Sequence, residues 1–172
     1  MQRAVRKKQL VLSDTLIQYY SYIPETSVGT IVFLHGWRSD ATAWRQILNE
    51  LNVTDTALYA LDLPGFGQSQ IPQRPYDLDD YVRIVHEFIK KLNLQNVILV
   101  GHSFGGRIAI KYAAHCNLQA LMLVDSAGIY ERTLAKRIKS LIAKMLKPVF
   151  TIPALKPLRM RIYKLIGSGD YV

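Results

Sequence analysis

An α/β fold, with a mostly parallel sheet carrying helices on both faces, is the architecture this sequence predicts. Three observations carry the prediction. Short apolar runs without polar alternation, such as Thr30–Leu34 ("TIVFL") and Val97–Val100 ("VILV"), read as strands buried on both faces. Segments with apolar residues at helical spacing lie between such runs. Strand–helix alternation of this kind belongs to parallel sheets covered by helices. A hairpin-like stretch at the start makes the sheet mostly, rather than wholly, parallel.

The elements follow in order. Leu10–Ser13 and Leu16–Tyr22, split by Asp14-Thr15, are rich in β-branched and aromatic residues and predict a hairpin. Thr30–Leu34 is the third strand. Ala41–Leu51 carries Trp44, Ile47, Leu48 and Leu51 at helical spacing, with Asp40 as its N-cap. Ala57–Leu61 is the fourth strand, closed by the turn-rich "DLPGFGQSQ". Leu78–Leu92 reads as a helix with Tyr81, Val85, Phe88, Ile89 and Leu92 on one side. Val97–Val100 is a strand, Gly105–His115 a helix and Leu121–Val124 a sixth strand.

Composition narrows the function classes. The chain has 172 residues, enough to bury a real core. No apolar stretch approaches the roughly 18 to 20 residues of a membrane span. One cysteine, Cys116, makes no internal disulfide, and no Cys/His cluster has metal-ligand spacing. A reducing, cytoplasmic setting is the expectation. The net charge of +9 belongs to one segment: Arg132 to Lys164 holds 10 basic residues and no acidic one, whereas Met1 to Glu131 is neutral. Nucleic-acid binding has only that charge in its favour, without a groove-reading motif or base-stacking aromatics, so no nucleic-acid partner is expected.

Ligands of open α/β sheets bind at the carboxyl ends of the strands. Three of those ends carry unusual loops: "HGWRSD", "DLPGFGQS" and "GHSFGG". Gly101-His102-Ser103-Phe104-Gly105 fits G-x-S-x-G, following a strand and opening a helix. A serine on so tight a turn has strained backbone and a hydroxyl thrust above the sheet, and Gly101, Gly105 and Gly106 leave it room. The following helix leaves the Phe104 N–H free at its N-terminus, where negative charge is favoured. In "FLHGW", Gly36 admits close backbone approach, and the Trp37 N–H is a second candidate donor for an oxyanion. The competing reading, a phosphate-binding turn, lacks both the G-x-G-x-x-G order and the Walker lysine. His35 reads as a structural histidine bonded within its loop.

With these motifs the chain resembles the N-terminal part of an α/β-hydrolase-fold protein, from the hairpin to about Gly128. The matching residues are His35-Gly36-Trp37, Asp62 to Ser69, and Gly101 to Gly106. The resemblance implies Ser103 as nucleophile and the Trp37 and Phe104 N–H groups as oxyanion hole. It also implies "LMLVDSAG" as the sixth strand and a cap beginning at Glu131. The expected organisation is a core over residues 1–131 and the start of a basic helical cap over 132–172. Serine at the turn separates the chain from the dehalogenase and epoxide-hydrolase branches, which use aspartate there.

A serine hydroxyl needs a positioned base, and in this family the order is Ser, then Asp or Glu, then His. The only histidine downstream of Ser103 is His115, on the order of 18 Å along the following helix. His102 flanks the serine within the turn, His86 lies on a helix, and His35 precedes the serine. Asp125, at the end of the sixth strand, is an alternative acid or a residue that holds its loop. Six strands stand where the family has eight, so the usual acid and histidine are expected beyond Val172, and the sixth strand is expected to have an open edge.

Leu134, Ile138, Leu141, Ile142, Met145 and Leu146 recur at helical spacing with lysines and an arginine between them. A basic amphipathic helix lies on anionic lipid; a cap helix shows the same pattern, and the resemblance favours the cap. The leading expectation is therefore a serine hydrolase transferring the acyl group of a small or medium ester-like molecule to water, with no cofactor and no metal. The 172 residues alone are expected to be close to inactive. The alternatives are a non-catalytic binding module or remnant and a membrane-surface binder.

Overall fold

The computed structural model describes residues 4–127. Six strands form one sheet in the order β1-β2-β4-β3-β5-β6. They are β1 (Arg6–Leu12), β2 (Thr15–Tyr22), β3 (Gly29–Leu34), β4 (Thr56–Leu61), β5 (Val97–His102) and β6 (Ala120–Val124). β1 and β2 pair antiparallel, as do β2 and β4. From β4 across β3 and β5 to β6 all pairing is parallel. The predicted mostly parallel sheet with a leading hairpin is what the chain forms.

The hairpin turn differs from expectation by one residue. Ser13 and Asp14, rather than Asp14 and Thr15, occupy its centre, with φ of 44° and 60°. A two-residue hairpin turn that matches strand twist needs positive φ at both central positions. Aspartate tolerates that better than β-branched Thr15, which is the first residue of β2 instead.

Helices cover both faces. On one side a 3-10 turn (Ala41–Trp44) runs into the short helix α1 (Arg45–Glu50), where one continuous helix was expected. Asp40 is the N-cap, its carboxylate accepting the Thr42 N–H at 2.8 Å. Trp44 and Leu48 are buried against Phe33, Leu58, Ala60 and Val100. Ile47, expected on the buried side, is 38% exposed because the 3-10 start rotates the later residues off the helical stripe.

On the other side lie α2 (Leu78–Lys91) and α3 (Phe104–Ala113). Asp77 and Asp80 form a reciprocal capping box at the start of α2. Its Tyr81, Ile84, Val85 and Phe88 pack with Ile17, Tyr19, Tyr59, Leu99, Ile108 and Ala109 into the larger core. The alternation along β5 divides the two cores: Leu99 faces α2 and α3, and Val100 faces α1.

Among the described residues β6 pairs only with β5, and Leu121, Met122 and Val124 are exposed. No described helix is long and apolar enough to cross a membrane. The expected cap segment, 132–172, lies outside the described residues, as does its basic helix.

Candidate functional site

The parallel strands all end on the same edge of the sheet, so the loops after β3, β4 and β5 meet there. Each is tied by particular bonds. After β3, the His35 ring is fully buried and spends both nitrogens: Nδ1–H donates to the Gly36 carbonyl at 2.8 Å, and Nε2 accepts the Leu63 N–H at 2.9 Å. Burial pushes its pKa below the ordinary value, so the imidazole is neutral in the tautomer these bonds require. His35 therefore joins the β3 and β4 loops.

After β4, Asp62 performs a second cross-link. One oxygen accepts the Ala41 N–H at 2.7 Å, and the other accepts the Gln68 N–H at 2.8 Å. A buried carboxylate satisfied by backbone N–H groups is held firmly. Gly67, with φ of 55°, passes so close to that carboxylate that a Cβ would collide with it. Ser69 Oγ donates to the Asp62 carbonyl at 2.6 Å and accepts the Gln18 N–H at 2.8 Å, anchoring the loop to β2.

After β5, the chain turns directly into α3 through Ser103, with φ of 49° and ψ of −110°. That conformation is costly for a residue with a Cβ, on the order of 1–3 kcal/mol. Surrounding contacts impose it. The Ser103 N–H donates to the Val124 carbonyl, and the Ser103 carbonyl accepts from Gly106, Arg107 and Ala127. The glycines are required by space. A Cβ on Gly101 would lie 2.5 Å from the Gly105 carbonyl oxygen, and one on Gly105 would strike the Leu34 carbonyl oxygen. On Gly106 it would meet the Ser126 side chain.

The loops converge on this turn. An ideal Cβ on Gly36 would stand 3.2 Å from Ser103 Cβ and 3.1 Å from His102 Nδ1, which sets the Gly36–Trp37 peptide against the serine. The Gly105 N–H donates to the His35 carbonyl at 3.1 Å, fixing α3 to the β3 loop. The N–H groups of Trp37 and Phe104 have no partner among the described residues. A serine hydroxyl beside two unpaired backbone donors is an arrangement able to bind a developing oxyanion.

All four histidines fall within the described residues, and none is hydrogen-bonded to Ser103. His35 is committed as above. His86 is exposed on α2, with Cys116 Sγ 3.7 Å from Nδ1. His102 points to the α1 side, its ring edge-on to Trp44. His115 is exposed past the end of α3, at the opposite end from Ser103. Asp125 is exposed after β6 with φ of 43°, between Val124 and Ala127, which bond the Ser103 backbone.

Two residues of the Asp62–Ser69 motif, Asp62 and Phe66, carry roles that the sequence did not assign. The signal for Asp62 was its place at a strand end opening the loop already singled out. The role of Phe66 had no such sign: its ring meets His35 at 5.6 Å and Trp37 at 5.0 Å only because separate loops fold together. No group of three or more metal-ligating side chains lies among the described residues.

Comparison with known proteins follows the same motifs. Residues 29–146 match the family model described as alpha/beta hydrolase fold. An AB hydrolase superfamily protein of Bacillus subtilis, YisY, is 38% identical over 101 residues, covering 57% of this chain and 38% of that one. Among solved structures, a membrane phospholipase A described as a bacterial virulence factor is 30% identical with a TM-score of 0.69, over 75% of this chain and 42% of its own. An esterase from Exiguobacterium antarcticum is 28% identical with a TM-score of 0.61, over 72% and 46%. The chain spans less than half the length of each of these three. By fold, by the residues at its strand ends and by the extent of the match, it belongs to the alpha/beta hydrolase fold family.

Proposed function

We propose that this chain carries the nucleophile and oxyanion-binding part of a serine hydrolase acting on carboxylic ester-like substrates. Ser103 Oγ attacks the acyl carbon, and the oxyanion is held by the Trp37 and Phe104 N–H groups. The alcohol leaves with a proton, and water then releases the acid and restores the hydroxyl. The observation that carries this reading is the strained Ser103 turn set against the Gly36–Trp37 peptide beside two unpaired donors. The esterase and the membrane phospholipase A named above are consistent with it.

None of the four histidines is hydrogen-bonded to Ser103 among the described residues, which supports a general base other than these four. The reading therefore assigns the base, and the usual acid, to residues outside these 172. Asp125 is the alternative acid, because its neighbours Val124 and Ala127 already bind the Ser103 backbone. A binding module with the turn but no triad is the second reading, and it draws on the same lack of a base.

The test is acylation of Ser103 by p-nitrophenyl acetate, read by intact mass and peptide mapping, with and without added imidazole as substitute base. We expect turnover near that of Ser103→Ala without imidazole, and Ser103-dependent acetylation with it. No acetylation of Ser103 under either condition would overturn the nucleophile. Robust turnover without imidazole, lost in Ser103→Ala, would place the base inside this chain.

A further inference from the structure

We propose that the outer edge of β1 is a docking site for an acidic peptide segment of a partner protein, which adds to the sheet as a strand beside residues 6–9.

β1 is the outermost strand, with β2 on one side and no strand on the other among the described residues. Its backbone groups divide by alternation. Leu12 and Thr15 close the two-residue hairpin turn, so Leu12, Leu10, Lys8 and Arg6 exchange backbone hydrogen bonds with β2. Val11, Gln9 and Lys7 then direct theirs away from the sheet. Two observations agree with this register. The Val11 carbonyl accepts Lys91 Nζ at 2.9 Å from outside the hairpin. On the far side of β2, Leu16 and Gln18 bond to Gln70, Asp62 and Ser69 instead of to β1. Lys7 and Gln9 therefore present N–H and C=O groups to whatever strand comes beside them.

The side chains along this edge carry one sign of charge. Leu10 and Leu12 pack into the larger core, which puts Lys8 and Arg6 on the same face of the strand. Val5 packs against the smaller core, which puts Lys7 on the opposite face. All four residues from Arg6 to Gln9 are exposed. Arg6, Lys7 and Lys8 take part in none of the ion pairs among the described residues. Lys7 Nζ donates to Gln68 Oε1, a neutral amide that leaves its charge uncompensated. From Met1 to Ser13 there are four basic residues and no acidic one.

These charges select the occupant. A second copy of this chain, pairing edge to edge, would set cations against cations, and like charges directly opposite are destabilising. A strand with three consecutive acidic residues meets the opposite demand. Its side chains alternate as those of β1 do, so carboxylates stand across from cations on both faces. The main chain supplies the ladder and the charges supply the selectivity.

The test uses a fluorescent peptide with three consecutive glutamates between valine and threonine flanks, titrated into the full 172-residue chain. We expect binding that weakens as salt rises, with the Lys7 and Gln9 amides protected from hydrogen exchange. N-methylation of the three glutamates keeps their charge and removes their N–H groups, and should weaken binding about tenfold. Lys7→Glu combined with Lys8→Glu, at exposed positions, should also weaken it about tenfold.

Equal affinity for the N-methylated peptide overturns strand addition without requiring any variant. Binding that survives the double substitution unchanged puts the peptide on another basic part of the chain and overturns the β1 site. Protection of the β1 amides by phosphatidylserine vesicles and not by the peptide makes the edge a lipid-facing surface, which overturns the peptide partner.

Discussion

The Leu63 N–H donates to His35 Nε2 at 2.9 Å, so a histidine at the end of β3 is bonded to the loop after β4 and is spent on architecture. Its neutral form is the one the fold needs, and burial depresses its pKa from the ordinary 6.5. Above pH 6.5 the folded and unfolded chains are both neutral here, and the stabilisation is complete. As the pH falls below 6.5 the unfolded chain takes up the proton first, so stability drops until the folded pKa is reached. Urea titrations from pH 7.5 down to pH 5 should show this loss. His35→Ala should abolish the slope in that window and cost about 2–4 kcal/mol, by orphaning the Leu63 N–H and leaving a void.

Strain at Ser103 predicts a stability gain from the loss of its Cβ. Its φ of 49° with ψ of −110° suits glycine far better than serine. Ser103→Gly should raise the unfolding free energy by about 1 kcal/mol, while Ser103→Ala, which keeps a Cβ, should not. Both should lack acylation. A loss of stability in Ser103→Gly would show that the surrounding hydrogen bonds relieve the strain entirely.

Ser126 fills the space that a side chain on Gly106 would need. A Cβ there would stand 2.6 Å from Ser126 Cβ and 3.1 Å from Ser126 Cα. Gly106→Ala alone should destabilise by about 2 kcal/mol through overpacking. Adding Ser126→Gly should return more than half of that, a coupling read from a double-mutant cycle. Gly105→Ala has no such rescue, because its Cβ would strike backbone of β3 and the residue after it.

Ser21 Oγ is buried in β2 without a hydrogen-bond partner among the described residues. Serine to alanine changes little in shape, and it removes a desolvated hydroxyl. Ser21→Ala should therefore stabilise the chain by about 1 kcal/mol, seen as a higher denaturant midpoint with an unchanged slope.

Asp80 is buried at the start of α2, where Arg74 contacts both its oxygens at 2.6 and 2.7 Å and Arg83 adds a third contact at 3.0 Å. The Arg74 guanidinium holds its carboxyl well below the usual carboxylate range. The stabilisation is complete above pH 3.8, the ordinary value, and is lost as the pH falls from there through the depressed folded value. In Asp80→Asn the acid limb below pH 3.8 should flatten, and its unfolding midpoint at pH 7 should be lower than that of the parent chain.

The sequence by itself determined the kinds and order of the elements. Apolar continuity marked β3, β4 and β5, helical spacing marked α2, and the small residues around Ser103 marked a turn too tight for side chains. These are local signals, because each residue's burial follows from the repeat of its own strand or helix. Where local geometry was finer than the repeat, the sequence misled: the hairpin turned at Ser13–Asp14, and a 3-10 start left Ile47 exposed. Tertiary structure alone decided which loops meet. His35 finds Leu63 across 28 residues, Asp62 finds Ala41 across 21, and Trp37 reaches the rings of both Phe66 and Phe104. Such pairings leave no periodic trace in the chain, since they depend on parallel strands bringing distant loops to one edge of the sheet. The serine was legible because its turn is a local constraint; its surroundings were not, because they are assembled through space.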